Sequence, residues 1–288
     1  MIHLKPLNAL ERSKFVKIDI RKKSGVFIFF VLTAVFVMCS AALADDIAEA
    51  GRKVAFQWGK AVVYVELVVR IDYGDGRPEE SKPSGTGVIV DPYGLTLVPM
   101  SGTGIDFDGA KVVSAKIRLY DGTEMPSAVV LRDADLDMVF LRPLKKPAKP
   151  MAFVDMKTGV KVSQLQDVVV LFRQEKIANC ALSAVIEQIR AVVDKPRLFY
   201  VPSLSAGSSE YGAPVFSLEG RPVGVVLYRY AASSSSYSDS DSSSIKAIIP
   251  AADVLKAAVQ APKDVPKAPS KQPTKTNKPA AKPKTSKH

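Results

Sequence analysis

Histidine is missing from the whole interior of this chain: of 288 residues only His3 and His288 are histidines, one in a basic leader and one at the last position of a Lys/Pro-rich tail. Neither position belongs to a core, so a general base built on a buried imidazole is excluded. Cysteine is nearly as scarce, with Cys39 and Cys180 alone. Loss of a leader containing Cys39 would leave Cys180 by itself. No intramolecular disulfide could then form, and no zinc site of cysteine and histidine could be assembled. No cofactor or metal is expected, and the core must be held by packing.

Long apolar runs are also absent, except for one. Residues Met1 to Lys23 carry a basic excess, Val26 to Val37 is almost purely apolar, and Ser40-Ala41-Ala42-Leu43-Ala44 is a small-residue stretch. This is the layout of a secretory signal, with cleavage expected after Ala44 because Ala42 and Ala44 satisfy the small-x-small rule. The alternative is an uncleaved anchor, since Val26 to Ala44 exceeds the lower limit of about 17 residues for a spanning helix. Lipid attachment at Cys39 fits poorly, because Met38 stands where a small residue is needed. Either main reading puts the protein outside the cytoplasm: periplasmic, extracellular or membrane-anchored on the outside.

A basic excess is lacking where a nucleic-acid face would need it. The net charge of +11 is concentrated at the ends: residues 1–44 hold seven basic and two acidic residues, and 261–288 hold eight lysines and Asp264. The intervening 45–260 is left near neutral, so nucleic acid is not an expected partner. The tail 261–288 has Val265 as its one residue from the Val/Leu/Ile/Phe group. It is expected to be disordered and, through its lysines, able to meet an anionic envelope component.

What remains is a region of short β-patterned runs. Residues 61–70 form a β-branched run closed by Asp72-Tyr73-Gly74-Asp75-Gly76, and similar runs follow at 87–90, 95–100, 111–120, 127–131 and 138–141. Lys145 to Pro150 interrupts the pattern as a linker. Further runs lie at 168–172, 198–201, 214–217, 222–230 and 245–249, and 251–260 has a helical apolar face. Residues 176–193 have a helix-leaning composition, and the nine serines of 233–244 predict a surface loop. Halves at about 52–145 and 150–250 fit a closed barrel or sandwich architecture.

Three motifs recur in order: Gly85-Thr86-Gly87-Val88-Ile89-Val90-Asp91 with Gly94 and Leu95 to Val98; Asp133-Ala134-Asp135-Leu136-Asp137-Met138-Val139-Phe140-Leu141; and Gly212-Ala213-Pro214-Val215-Phe216-Ser217-Leu218-Glu219-Gly220 with Val223-Gly224-Val225. Together they resemble the trypsin-like serine proteases of the periplasmic Deg/HtrA type, over roughly residues 55 to 260. The resemblance implies an all-β fold of two six-stranded barrels meeting at a cleft, with a short C-terminal helix, and it turns 176–193 into strands. It also implies that Ser101 stands where the family has its histidine base, that Asp137 matches the orienting aspartate, and that Tyr211 occupies the nucleophile position. Ser209-Glu210 replace the Gly-Asn before that nucleophile.

A triad needs all its members working as a unit. With the base and nucleophile replaced, Asp137 is expected to be a surface or turn carboxylate, and Tyr211 to pack into the old nucleophile site. The expected protein is a pseudoprotease whose cleft binds a protein, peptide or envelope component. The alternative is an endopeptidase with a rebuilt Ser-Lys site drawing on serines among Ser203 to Ser209 and a lysine that the sequence does not identify.

Overall fold

The computed structural model describes residues 46–74, 77–105, 109–203, 210–230 and 244–265. The leader, the loop 233–243 and the tail beyond 265 lie outside these residues. The chain divides into Met1–Ala48 and Glu49–His288. The first unit contributes to the description only residues 46–48, the start of a helix, α1, that spans 46–58.

Thirteen strands follow among the described residues. The first seven are β1 (Val62–Ile71), β2 (Glu79–Ser81), β3 (Ser84–Ile89), β4 (Thr96–Pro99), β5 (Lys111–Arg118), β6 (Glu124–Asp133) and β7 (Met138–Pro143). They run β1-β3-β4-β7-β6-β5, with β5 returning to pair with β1 and β2 lying outside the ring on β1. The rest are β8 (Asp167–Arg173), β9 (Leu182–Val193), β10 (Phe199–Pro202), β11 (Pro214–Ser217), β12 (Pro222–Tyr230) and β13 (Ser244–Pro250), followed by helix α2 (Ala251–Ala258). These strands close as β10-β13-β12-β11-β8-β9. The fold is therefore two closed six-stranded antiparallel β-barrels with a short C-terminal helix. The strands of the two barrels stop and start on either side of Lys145–Pro150.

The apolar runs are continuous because the inner strands are buried on both sides. In β8, Val168, Val170 and Phe172 fill the second barrel, while Val169 and Leu171 face a separate cluster shared by both barrels. In β1, Val63, Val65 and Leu67 fill the first barrel and Val62 joins the shared cluster. That cluster also takes Val54 from α1 and Val254 and Ala257 from α2. Trp58 fastens α1 to the second barrel by stacking on Phe216, with centroids 5.5 Å apart, and by donating its indole N–H to the Gly220 carbonyl at 2.8 Å.

Residues 176–193 are not helical. A 3-10 turn, Lys176–Ala178, leads into β9, which pairs with β8 along its length from Leu182 to Gln188. Sheet pairing overrides the helix-leaning composition there. Helix α1 had no counterpart in the pattern reading, although Gly51, Val54 and Trp58 already stand at helical spacing. The tail also begins later than composition suggests. Ala261 is buried against the shared cluster, and the Pro262 carbonyl accepts a hydrogen bond from Arg142 Nε at 2.8 Å, while Arg142 Nη2 pairs with Asp91 at 3.0 Å.

Arg173 joins the barrels from the second side. Its guanidinium is buried at 8 % exposure and donates to the Val62 and Gly59 carbonyls at 2.9 Å each and to the Cys180 carbonyl at 3.4 Å. Its backbone N–H donates to Thr86 Oγ1 at 2.9 Å. Burial lowers the guanidinium pKa below its ordinary value. Beside it, burial pushes the Tyr64 phenol up to about 12, a shift opposed by its bond to Ser84 and reinforced by its bond to the Glu175 carboxylate.

Arg173→Ala orphans three carbonyls, each worth about 1–3 kcal/mol when left unsatisfied in a buried site. Denaturant unfolding should show a loss of about 3 kcal/mol or more. Removing 266–288 should leave the thermal midpoint unchanged within error, whereas removing 261–288 should lower it by taking away Ala261 and the Arg142 acceptor. Equal midpoints for the two truncations would mean that these contacts carry no stability.

Candidate functional site

The turn before β7 brings Asp137 into the seam with φ at 57°, a left-handed conformation that aspartate tolerates better than most residues. The residue is 3 % exposed, so the expectation of a surface carboxylate is corrected: the residue lies in a turn, but the turn is covered by the second barrel. A buried carboxylate needs donors. Oδ1 accepts from the Ser101 N–H at 2.7 Å and from the Ser101 hydroxyl at 2.5 Å, and Oδ2 accepts from the Tyr228 N–H at 3.0 Å. The Asp137 carbonyl takes the Met100 N–H at 3.0 Å. The structure thus brings Ser101 and Asp137 together as the motifs imply, but with a hydroxyl on the carboxylate where an imidazole would be.

Tyr211 lies in the same place. Its ring stacks on that of Tyr228 with centroids 3.8 Å apart and planes 18° from parallel, consistent with a packing role. Lys246 Nζ sits 4.9 Å from the Tyr211 ring centroid, over its face, and pairs with Glu210 at 2.9 Å in a mostly buried contact. A cation over the ring is held by the π-face and does not by that position activate the phenol oxygen. Gly212 completes the motif. Its φ is +81°, and a Cβ there would lie 2.2 Å from the Thr86 carbonyl oxygen, so no side chain fits between the barrels at that point.

A cavity of about 150 Å³ opens beside this pair, lined by Val65, Gly85, Val98, Ser101, Tyr211 and Tyr228 among others. Ligand and cofactor pockets run to about 300–1,000 Å³, so this one accommodates a single side chain. Ser203 Oγ is bonded to Glu187 and accepts the Gln188 N–H at 3.1 Å; Ser205, Ser208 and Ser209 lie outside the described residues. Among the described residues no three His, Cys, Asp or Glu side chains come together as a metal-binding group. Tyr228, Lys246 and Glu210 are the members that sequence reasoning did not anticipate as partners. Only Tyr228 had a signal, as the polar-tipped neighbour of the buried run in β12.

Comparison with known proteins bears on the fold. Residues 85–225 match the family model of the trypsin-like peptidase domain. Among solved structures, an HtrA-type protease with a decapeptide is similar over 73 % of this chain and 66 % of its own, at 15 % identity and a TM-score of 0.53. The MamO protease domain from Magnetospirillum magneticum, in its apo form, is similar over 69 % of this chain and 96 % of its own, at 14 % identity and a TM-score of 0.47. No curated protein matches the sequence significantly.

If Asp137 holds the seam, Asp137→Ala should be more damaging than Ser101→Ala. The first strips at least three donors of their acceptor, and the second removes one hydroxyl bond to a charge, worth about 1.5–3 kcal/mol. Chemical denaturation of the two variants gives the order directly. A smaller loss for Asp137→Ala would show that the carboxylate does not join the barrels.

Proposed function

From the premise that this chain carries a trypsin-like peptidase domain of the HtrA kind, we propose that it is an exported pseudoprotease that binds a peptide segment in the cleft between its barrels and does not cleave it. The observation that supports this most is the hydrogen bonding of Asp137. Its carboxylate is engaged by the Ser101 hydroxyl and N–H and by the Tyr228 N–H. A serine hydroxyl in that position is no base at neutral pH. The Tyr211 ring, stacked on Tyr228, fills the nucleophile position, and its neighbour Glu210 is tied to Lys246.

A peptide suits the cleft in size. One side chain enters about 150 Å³, and the rest of an extended peptide can run along the exposed seam. The HtrA-type structure of the same fold was solved with a decapeptide, which is the ligand class we carry over. Export rests on the leader, with a mature start at Asp45 or retention by an uncleaved anchor. The rebuilt Ser-Lys enzyme stays as the rival because Lys246 lies beside Tyr211.

The test has two arms. In the first, the protein is incubated with an unfolded protein and a peptide library, and labelled with a serine-directed probe. No turnover and no labelling are expected, because loss of triad members lowers rates by several orders of magnitude and non-additively. Stoichiometric labelling, or turnover lost in Ser203→Ala or after a change at Ser205, Ser208 or Ser209, would replace the pseudoprotease reading with the enzyme. In the second arm, peptides selected from the library are titrated against Gly85→Leu. A Cβ at Gly85 meets nothing within 4 Å and Gly85 lines the cavity, so a leucine there narrows it. Affinity should fall by roughly tenfold or more, as expected for loss of one buried anchor. Unchanged affinity would move the peptide out of the cleft.

A further inference from the structure

Two apolar side chains stand out of this protein almost completely, and they stand at the same end of the seam. Phe56 on α1 is 91 % exposed and Ile177 in the 3-10 turn is 99 % exposed. Phe56 is three residues before Gly59, and Ile177 three residues before Cys180. The Gly59 and Cys180 carbonyls both accept from the Arg173 guanidinium, so the two protrusions rise from neighbouring points. A third exposed ring, Tyr120, lies in the same region, with Lys60 Nζ 5.3 Å from its centroid.

The surroundings of these residues carry both signs, with cations in excess over Glu49, Glu66, Asp121 and Glu175. Arg52 and Lys53 lie four and three residues before Phe56, which puts them beside it on one exposed helix face, and Lys60 follows in the turn after the helix. Lys53 pairs with Glu49, and Lys176, next to Ile177, pairs with Glu66. The Arg173 guanidinium that the Gly59 and Cys180 carbonyls share also lines a polar cavity of about 240 Å³, together with Arg118, Tyr120, Asp121 and Cys180. Two guanidiniums face one carboxylate across it. Arg118 bonds Asn179 Oδ1 at 3.4 Å, and its cross-strand neighbour Glu124 pairs with Lys116 at 2.8 Å.

Single apolar tips separated by cations are unlike the contiguous apolar patch of a protein interface. They match the pattern of interfacial membrane binding, where aromatic and aliphatic tips enter the headgroup boundary and Lys and Arg stay with the phosphates. We propose that this end of the protein docks on an anionic lipid surface, with Phe56, Tyr120 and Ile177 entering the interface and the Arg118–Arg173 cavity taking a headgroup phosphate. The surface is distinct from the cleft lined by Ser101 and Tyr211, and from the Lys/Pro tail.

The test reads contact at individual positions, so it is independent of how the full chain is held on a vesicle. The full-length protein is prepared with Phe56→Trp, Ile177→Trp or, as a control, Val113→Trp. Val113 is five residues back along β5 from Arg118, about 16 Å by strand rise, and Trp58 supplies a constant background. Each variant is added to vesicles of phosphatidylglycerol and phosphatidylcholine, and to vesicles of phosphatidylcholine alone, with brominated acyl chains as quencher. On anionic vesicles the added emission of Phe56→Trp and Ile177→Trp should be quenched by roughly half or more, as expected for side chains buried about 5–10 Å into the boundary. Val113→Trp should be unaffected. Quenching should fall several-fold on neutral vesicles and in Arg118→Gln. Absent quenching at both positions, equal quenching at position 113, or quenching indifferent to lipid charge and to Arg118→Gln would each overturn the proposal.

Discussion

The fold depends on a reciprocal exchange of buried charge across the seam. Asp137 belongs to the first barrel and accepts the Tyr228 N–H of the second. Arg173 belongs to the second and donates to the Val62 carbonyl of the first and the Gly59 carbonyl at the end of α1. Burying an ion without partners costs several kcal/mol, and each ion here takes main-chain partners from the opposite side beside those on its own. Sliding one barrel along the other would orphan both. The register of the seam, and with it the cleft beside Ser101 and Tyr211, follows from those two groups together with the shared apolar cluster.

This gives Asp137 a purpose that does not require catalysis. In a triad the aspartate orients an imidazole; here the carboxylate accepts from the Ser101 hydroxyl and N–H and from the Tyr228 N–H of the second barrel. Serine is small enough to leave the 150 Å³ cavity beside it, and the Tyr211–Tyr228 stack forms another wall. Ser101, Tyr211 and Tyr228 thereby bound a fixed recess. A rigid recess suits binding, since little ordering remains to be done when a side chain enters.

The sequence made the fold legible through its glycines and acids in order, because a trypsin-like arrangement has few ways to cross from barrel to barrel. Gly212 shows why such a signal is physical: the backbone of Thr86 passes where a Cβ would be. The pattern reading failed where two influences compete. Residues 176–193 have a composition that would also suit a helix, yet β8 recruits Leu182–Gln188 within them as part of β9. Asp137 was expected at the surface or in a turn because it has no imidazole to orient, and no local pattern says that the Tyr228 N–H will cover it. Arg142 and Pro262 are 120 residues apart, and a contact at that separation leaves no periodic trace.

Charge shows the same limit from the other side. A near-neutral total over 45–260 bounds the average field of the domain, which is why it weighs against a nucleic-acid face. It says nothing about how cations and anions are distributed in space. Folding brings the Gly59 carbonyl after α1 and the Cys180 carbonyl after the Lys176–Ala178 turn onto the Arg173 guanidinium, and the β5–β6 turn lines the same cavity as that guanidinium, so separate stretches of sequence contribute basic residues to one place. At distances shorter than the Debye length of about 8 Å at physiological salt, that local grouping decides what is attracted. An approaching bilayer would meet Phe56 and Ile177 first, with Lys60, Arg118 and Arg173 behind them. The order suits a surface that is apolar just below its phosphates.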